Sequence, residues 1–124
     1  MPTVIIADDS PTMRGLVRLA LKGLAAELVD AVDGAQALQL CRTRPPLLLL
    51  IDLNMPVLDG IGATKALRAE AAPALRDLPI FLMTADRSDE VRVRCLEAGA
   101  TGLLTKPLRM AEVRAEVQRL LPTT

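Results

Sequence analysis

The sequence predicts an α/β fold, a doubly wound sheet of five parallel strands in the order 2-1-3-4-5 with helices on both faces. Three observations point to it. Five short apolar segments alternate with five longer amphipathic ones, the pattern of repeated strand–helix–strand units joined by right-handed crossovers. Apolar residues make up 51% of the 124 residues, yet there is one Phe and no Trp or Tyr. So aliphatic a core suits strands buried on both faces. Finally, polar residues gather just after four of the five strand segments, where open parallel sheets bind ligands.

The elements follow in order. The first strand covers about Thr3–Ala7. The first helix opens at Ser10 as N-cap with Pro11 at the first helical position, and Met13, Val17, Ala20 and Leu24 form its apolar stripe. Gly15 and Gly23 are expected to weaken it by roughly 1 kcal/mol each relative to Ala, so packing must hold it. The second strand, about Glu27–Ala31, leads into Asp33-Gly34, read as an ordinary turn. The third covers Leu47–Ile51. The fourth, Ile80–Met83, holds the single aromatic, Phe81, expected in the core. The fourth helix opens at Ser88 with Asp89 and Glu90 in its first turn, as the helix dipole favours, and Gly99 supplies its stop. The fifth strand is about Thr101–Thr105, and the fifth helix is expected to bury Met110, Val113, Val117 and Leu120. The pattern runs from about residue 3 to residue 121, so residues 1–124 read as one domain.

Composition removes several functions. Lys plus Arg and Asp plus Glu number 15 each, and a neutral chain lacks the basic surface that nucleic-acid binding requires. The missing aromatics leave no platform for base stacking. Cys41 and Cys95 fall in predicted helices and read as free, half-buried thiols of a reducing compartment. The longest aliphatic run, Leu47–Ile51, is far short of a membrane span, and Asp8 and Asp9 interrupt the N-terminus before any signal-like segment forms. The expectation is a cytoplasmic protein with neither nucleic acid nor membrane as partner. Without histidine there is no imidazole base.

The strand ends carry the chemistry. Asp8 and Asp9 follow the first strand, and Asp52, then Leu53-Asn54-Met55-Pro56, follows the third. Thr84, Ala85 and Asp86 follow the fourth, and Lys106-Pro107 follows the fifth. Taken singly these are ordinary caps, turns and surface charges. In the 2-1-3-4-5 order they converge as three carboxylates, a hydroxyl and an ammonium. Carboxylates so close repel, and one takes up a proton unless a cation neutralises them. A hard, oxygen-seeking cation such as magnesium fits. Phosphoryl transfer needs positioning and charge stabilisation more than covalent help, and Asp52, following the central strand, is the natural nucleophile, with Lys106 and Thr84 on the phosphoryl oxygens.

These stretches resemble a known family. Ile5-Ile6-Ala7-Asp8-Asp9-Ser10, Ile51-Asp52-Leu53-Asn54-Met55-Pro56 with Asp59-Gly60, Met83-Thr84-Ala85, Gly99-Ala100 and Lys106-Pro107 are similar to CheY-type receiver domains of response regulators, over essentially the whole chain. The resemblance implies a flavodoxin-like (βα)5 fold with Asp52 as phosphoacceptor. Asp9 would be a direct magnesium ligand, Asp8 a helper acting largely through water, and the backbone carbonyl of Asn54 a third protein ligand. Manganese or calcium would substitute for Mg2+. Thr84 and Lys106 would be the switch residues, and Lys106–Pro107 a cis peptide. The implied donor is a sensor histidine kinase or phosphotransfer protein. The implied target is a downstream protein on the face of the fourth helix, fifth strand and fifth helix, with the chain a monomer or weak dimer. Such a domain loads and loses its own phosphoryl group and is otherwise not an enzyme. Thr12-Met13-Arg14 looks most similar to stand-alone chemotaxis regulators.

There are departures. Leu103 stands where the family usually has Tyr or Phe, and Leu108 replaces the aromatic common after Lys-Pro. A swinging ring cannot relay the signal, so either movement of the loop after Thr84 carries it or the coupling is weak. Asp86 is expected to orient the water that attacks the acyl phosphate. Arg87, Arg92, Arg94, Arg109 and Arg114 lie along the proposed docking elements and read as solvated charges.

Other functions compete. A haloacid dehalogenase-type phosphatase needs a second Asp two residues after its nucleophile, and Asn54 there cannot deliver a proton. A flavin-binding protein needs a loop of N–H donors after the first strand, where Asp8-Asp9 would repel phosphate. A phosphorylation-independent adaptor on the same fold and a receiver excised from a longer regulator remain as alternatives.

Overall fold

The computed structural model describes residues 1–122 of the chain; the last two residues of the expected 1–124 domain lie outside the described residues. Five parallel strands, β1 Thr3–Ala7, β2 Glu27–Ala31, β3 Leu48–Asp52, β4 Ile80–Thr84 and β5 Gly102–Thr105, pair in the order β2-β1-β3-β4-β5. The helices are α1 Pro11–Ala20, α2 Gly34–Thr43, α3 Gly60–Arg68, a short α4 Pro73–Arg76, α5 Asp89–Glu97 and α6 Met110–Leu120. The fold class and strand order are those expected. One element is new: α4, a single turn started by Pro73, too short to carry a helical period. The expected fourth and fifth helices are therefore α5 and α6.

Each face of the sheet has its own core. Ile5, Leu49, Ile51, Ile80 and Leu82 meet α2, α3 and α5 through Ala37, Leu67 and Cys95. Val4, Ile6, Leu48, Leu50, Phe81 and Met83 meet α1 and α6 through Val17, Val113 and Val117. Every residue of β1, β3 and β4 is buried, while the edge strands β2 and β5 are only partly so. Solid apolar runs thus mark the three inner strands, as side chains of alternating direction need apolar neighbours on both sides.

Several boundaries differ from expectation. Asp52 and Thr84 are the last residues of their strands rather than the first residues beyond, because backbone pairing continues: Leu53 N donates to Met83 O at 2.8 Å and Lys106 N to Thr84 O at 2.8 Å. Helix α1 stops at Ala20, and Gly23, at φ +86°, belongs to the turn that follows. Gly23 therefore costs the helix nothing, and Leu24 packs from outside it. Asp33 is more than a turn residue; its carboxylate caps α2 by accepting from Gln36 N at 2.7 Å. In α6, Val113 and Val117 are buried but Met110 is 39% exposed and Leu120 only partly covered. Cys41 and Cys95 are fully buried rather than half-buried, and burial pushes the Cys41 thiol up to about 12. No helix among the described residues is long and apolar enough to cross a membrane.

Candidate functional site

Parallel strands bring their carboxyl ends to one edge of the sheet, and three inner strands end there in acids or a hydroxyl. Asp8 leaves β1 still attached to the sheet, its N–H donating to Ala31 O at 3.1 Å. It is 1% exposed, and an isolated buried carboxylate would be costly. It is compensated on both oxygens: Oδ1 accepts from Ser10 N at 2.9 Å and Oδ2 from Lys106 Nζ at 3.3 Å. Its carbonyl accepts from Arg14 Nη1 at 2.7 Å. Ser10 has a second task, since its hydroxyl accepts from Met13 N at 3.2 Å and so starts α1. Asp9, next along the turn, is exposed.

Asp52 closes β3 and is buried. Oxygens of Asp8, Asp9 and Asp52 all lie within 4.8 Å of one another. Lys106 reaches across from the end of β5 and holds its ammonium 3.3 Å from Asp52 Oδ2 as well as from Asp8. Burial, then the Asp8 charge, raise the Asp52 carboxyl above the usual range, while Lys106 and the Asn54 N–H pull it back. Asn54 comes to Asp52 by that N–H, 3.4 Å from Oδ1. The Lys106–Pro107 peptide is cis.

Thr84 is buried at the tip of β4, one residue beyond the partner of Asp52 in the ladder. Its hydroxyl accepts the Asp86 N–H at 3.0 Å. Asp86 is exposed and turned along its own loop: Oδ1 accepts from Ser88 N at 2.8 Å, and that bond lowers its carboxyl below the ordinary range. Leu103 is half-buried on β5 and lines an open cavity of about 440 Å³ between α5 and α6, with Leu96 and Pro107 along it and Arg87, Arg92 and Arg109 around it.

The predicted groups thus separate into a tight cluster (Asp8, Asp9, Asp52, Lys106), two neighbours (Asn54, Thr84) and two residues turned elsewhere (Asp86, Leu103). Sequence reasoning gave Arg14 and Asp30 no part in the site. Arg14 ties the Asp8 carbonyl, and Asp30, on an edge strand that seemed to lack a notable group, holds both Arg14 and Arg18. The signal was present in the i, i+4 spacing of the two arginines on α1, but nothing local placed Asp30 opposite them.

The donors fit a hard divalent cation. They are all oxygens, three of them carboxylates, two buried with a partner on each oxygen and one open to solvent. This suits an ion that takes a few carboxylates and keeps several waters. A bound cation would also offset the Asp8 repulsion that, after burial, raises the Asp52 carboxyl.

The sequence pattern of the response regulator receiver domain matches residues 4–118. The transcriptional regulatory protein PrrA of Mycobacterium tuberculosis is 38% identical over 120 residues, 97% of this chain and 50% of the relative. The chain therefore spans about half the length of that relative. Chemotaxis response regulator CheY4 of Vibrio cholerae superposes with a TM-score of 0.87 at 31% identity, covering 98% of this chain and 99% of that one. The receiver domain of sensor histidine kinase PA1611 from Pseudomonas aeruginosa, whose structure has magnesium coordinated in the active site cleft, gives 0.85 at 30% identity, with 96% of each chain covered.

Proposed function

The chain belongs to the response regulator receiver domain family, and from that premise we propose that Asp52 accepts a phosphoryl group whose charge resets a protein-binding face. The observation that carries the proposal is Lys106, whose ammonium stands 3.3 Å from both buried carboxylates, Asp8 and Asp52. A Lys held there stabilises charge on Asp52 and on any oxygen that approaches it.

The step balances simply. An ionised Asp52 oxygen attacks phosphorus of a phosphohistidine, or of a small acyl or phosphoramidate phosphate. The bond to the leaving nitrogen or oxygen breaks, and the leaving group departs with its electron pair. Lys106 shifts to a phosphoryl oxygen. The Thr84 hydroxyl keeps the Asp86 N–H on a lone pair and has its own proton free to donate to another. Asp8, Asp9, Asp52 and the Asn54 carbonyl would hold magnesium, which supplies neutralisation of the acids and of the transferred charge. Asp86 would orient hydrolytic water once its side chain leaves Ser88 N, the bond that now turns it along its own loop.

The acyl phosphate carries about 1.5 to 2 negative charges where the carboxylate carried one, and it carries them on oxygens further from the backbone. Recruiting Thr84 and Lys106 biases two arrangements of α5, β5 and α6. With Leu103 in place of a ring, movement of residues 85–88 carries the change. The downstream partner would be a protein that reads this face in the cytoplasm, and the donor a sensor histidine kinase or phosphotransfer protein. The chain itself would be a monomer or weak dimer without nucleic acid or membrane contact. Because Asn54 cannot act as a general acid, sustained turnover of phosphate monoesters is not expected. Incubation with acetyl phosphate and magnesium should add one phosphoryl mass increment by intact-mass measurement, lost when a chelator removes the metal. An increment that ignores the chelator, or none with metal present, would overturn the reading.

A further inference from the structure

Asp8 has four polar groups to place, and the least obvious partner is the one on its carbonyl. Three are explained by the sheet, the turn and the site: the N–H bonds to Ala31 O, and the two carboxylate oxygens to Ser10 N and Lys106. The fourth, the carbonyl, belongs to the peptide plane shared with Asp9. It accepts from Arg14 Nη1 at 2.7 Å, the shorter of that side chain's two bonds. Arg14 comes from the first turn of α1 and is 15% exposed, so most of its length lies against the protein. The Asp8 carbonyl is therefore held by a charged donor on a neighbouring helix rather than by water.

A cation placed beside an acidic pocket would ordinarily oppose the binding of a divalent ion. Here its charge is balanced from the far side. Arg14 Nε lies 3.4 Å from Asp30 Oδ2, and the other oxygen of Asp30 takes Arg18 Nε at 2.9 Å. Arg18 also donates to Leu28 O at 3.2 Å, which fastens the pair to β2. The guanidinium thus spans two anchors, a backbone oxygen of the site and a carboxylate of the sheet edge. A lysine ammonium has no such two-pronged planar form.

We infer that Arg14 is a positioning residue: by fixing the Asp8–Asp9 peptide plane, it aims the exposed Asp9 carboxylate into the acid cluster and so sets the affinity for the divalent cation. Asp9 needs such help. Its two neighbours in the cluster are buried, whereas nothing among the described residues bonds its own side chain. The inference rests on the metal reading above, but its geometric half does not.

Arg14→Met keeps the apolar stem and removes the donors. It should raise the magnesium dissociation constant, measured by calorimetric titration, by about 10-fold, the effect typical of losing a partner behind a metal ligand. It should also speed hydrogen exchange at the Ser10 amide, measured without metal, because that amide depends on the same turn. A urea midpoint that falls while magnesium affinity and Ser10 exchange both stay as in the wild type would show a merely structural residue and overturn the inference. Should the wild type itself take up no magnesium, the metal reading fails separately. Ser10 exchange then decides whether Arg14 holds the turn, unchanged exchange refuting it.

Discussion

On the β1–β3 side of the sheet's edge, Asp8 is 1% exposed and each of its polar groups has a partner. On the β4–β5 side, residues 85 to 90 are exposed and half-buried Leu103 lines a cavity of about 440 Å³. The first region is built to hold charge in one geometry. The second has few bonds to lose and room to rearrange. A domain that converts a new charge into a new surface needs both, a fixed acceptor and a neighbour that can move.

Three substitutions sharpen this contrast. The largest effect is expected in the anchored half. The loop after Asp52 packs so closely on α2 that a Cβ at Gly34 would run into the Leu58 carbonyl, a backbone atom that cannot swing aside. Gly34→Val should cost about 2–3 kcal/mol in urea unfolding; a loss below 1 kcal/mol would mean the loop is freer than described.

A smaller effect, opposite in sign, is expected at Asp52. Its carboxyl is raised chiefly by burial, so the folded state holds the proton more tightly than the unfolded chain. Ionised Asp52 therefore lowers stability, fully so above its raised folded pKa and not at all below the ordinary carboxylate range. Asp52→Asn should raise the thermal midpoint by a few degrees at pH 7, with the gain shrinking as pH falls through that window. A gain equal at all pH values would show that charge is not its source.

The smallest change belongs to the open half. Leu103→Phe has the cavity to enter and should move stability by no more than about 0.5 kcal/mol, read from the same urea curves. A loss several times larger would show that this side is packed as firmly as the other.

The fold was legible because its signals are local or repetitive: apolar runs at β1, β3 and β4, Ser10 and Ser88 caps, and a stop at Gly99. The acid cluster was legible because parallel topology sends strand ends to one edge whatever the details of packing. What the sequence did not disclose depends on distant partners. Asp30 looks like an exposed strand residue until α1 lays Arg14 and Arg18 over it. The single turn at Pro73–Arg76 is too brief to show a period. Val57, a β-branched residue at φ +71° in a turn closed by Leu58 N on Pro56 O, adopts a conformation that such a side chain rarely takes, and nothing in its type announces it. Asp86 stood at the right distance from Thr84, but its bond to Ser88 N turns it along its own loop.

The most direct measurement locates the phosphoryl group itself. Protein loaded from acetyl phosphate and magnesium can be reduced with borohydride, which converts an aspartyl phosphate to homoserine, and then mapped by peptide mass spectrometry. Homoserine at position 52, and at neither position 8 nor position 9, is the result expected. Modification at either of those two, or an unmodified Asp52 in protein that has gained the phosphoryl mass, would contradict the assignment of Asp52 as acceptor.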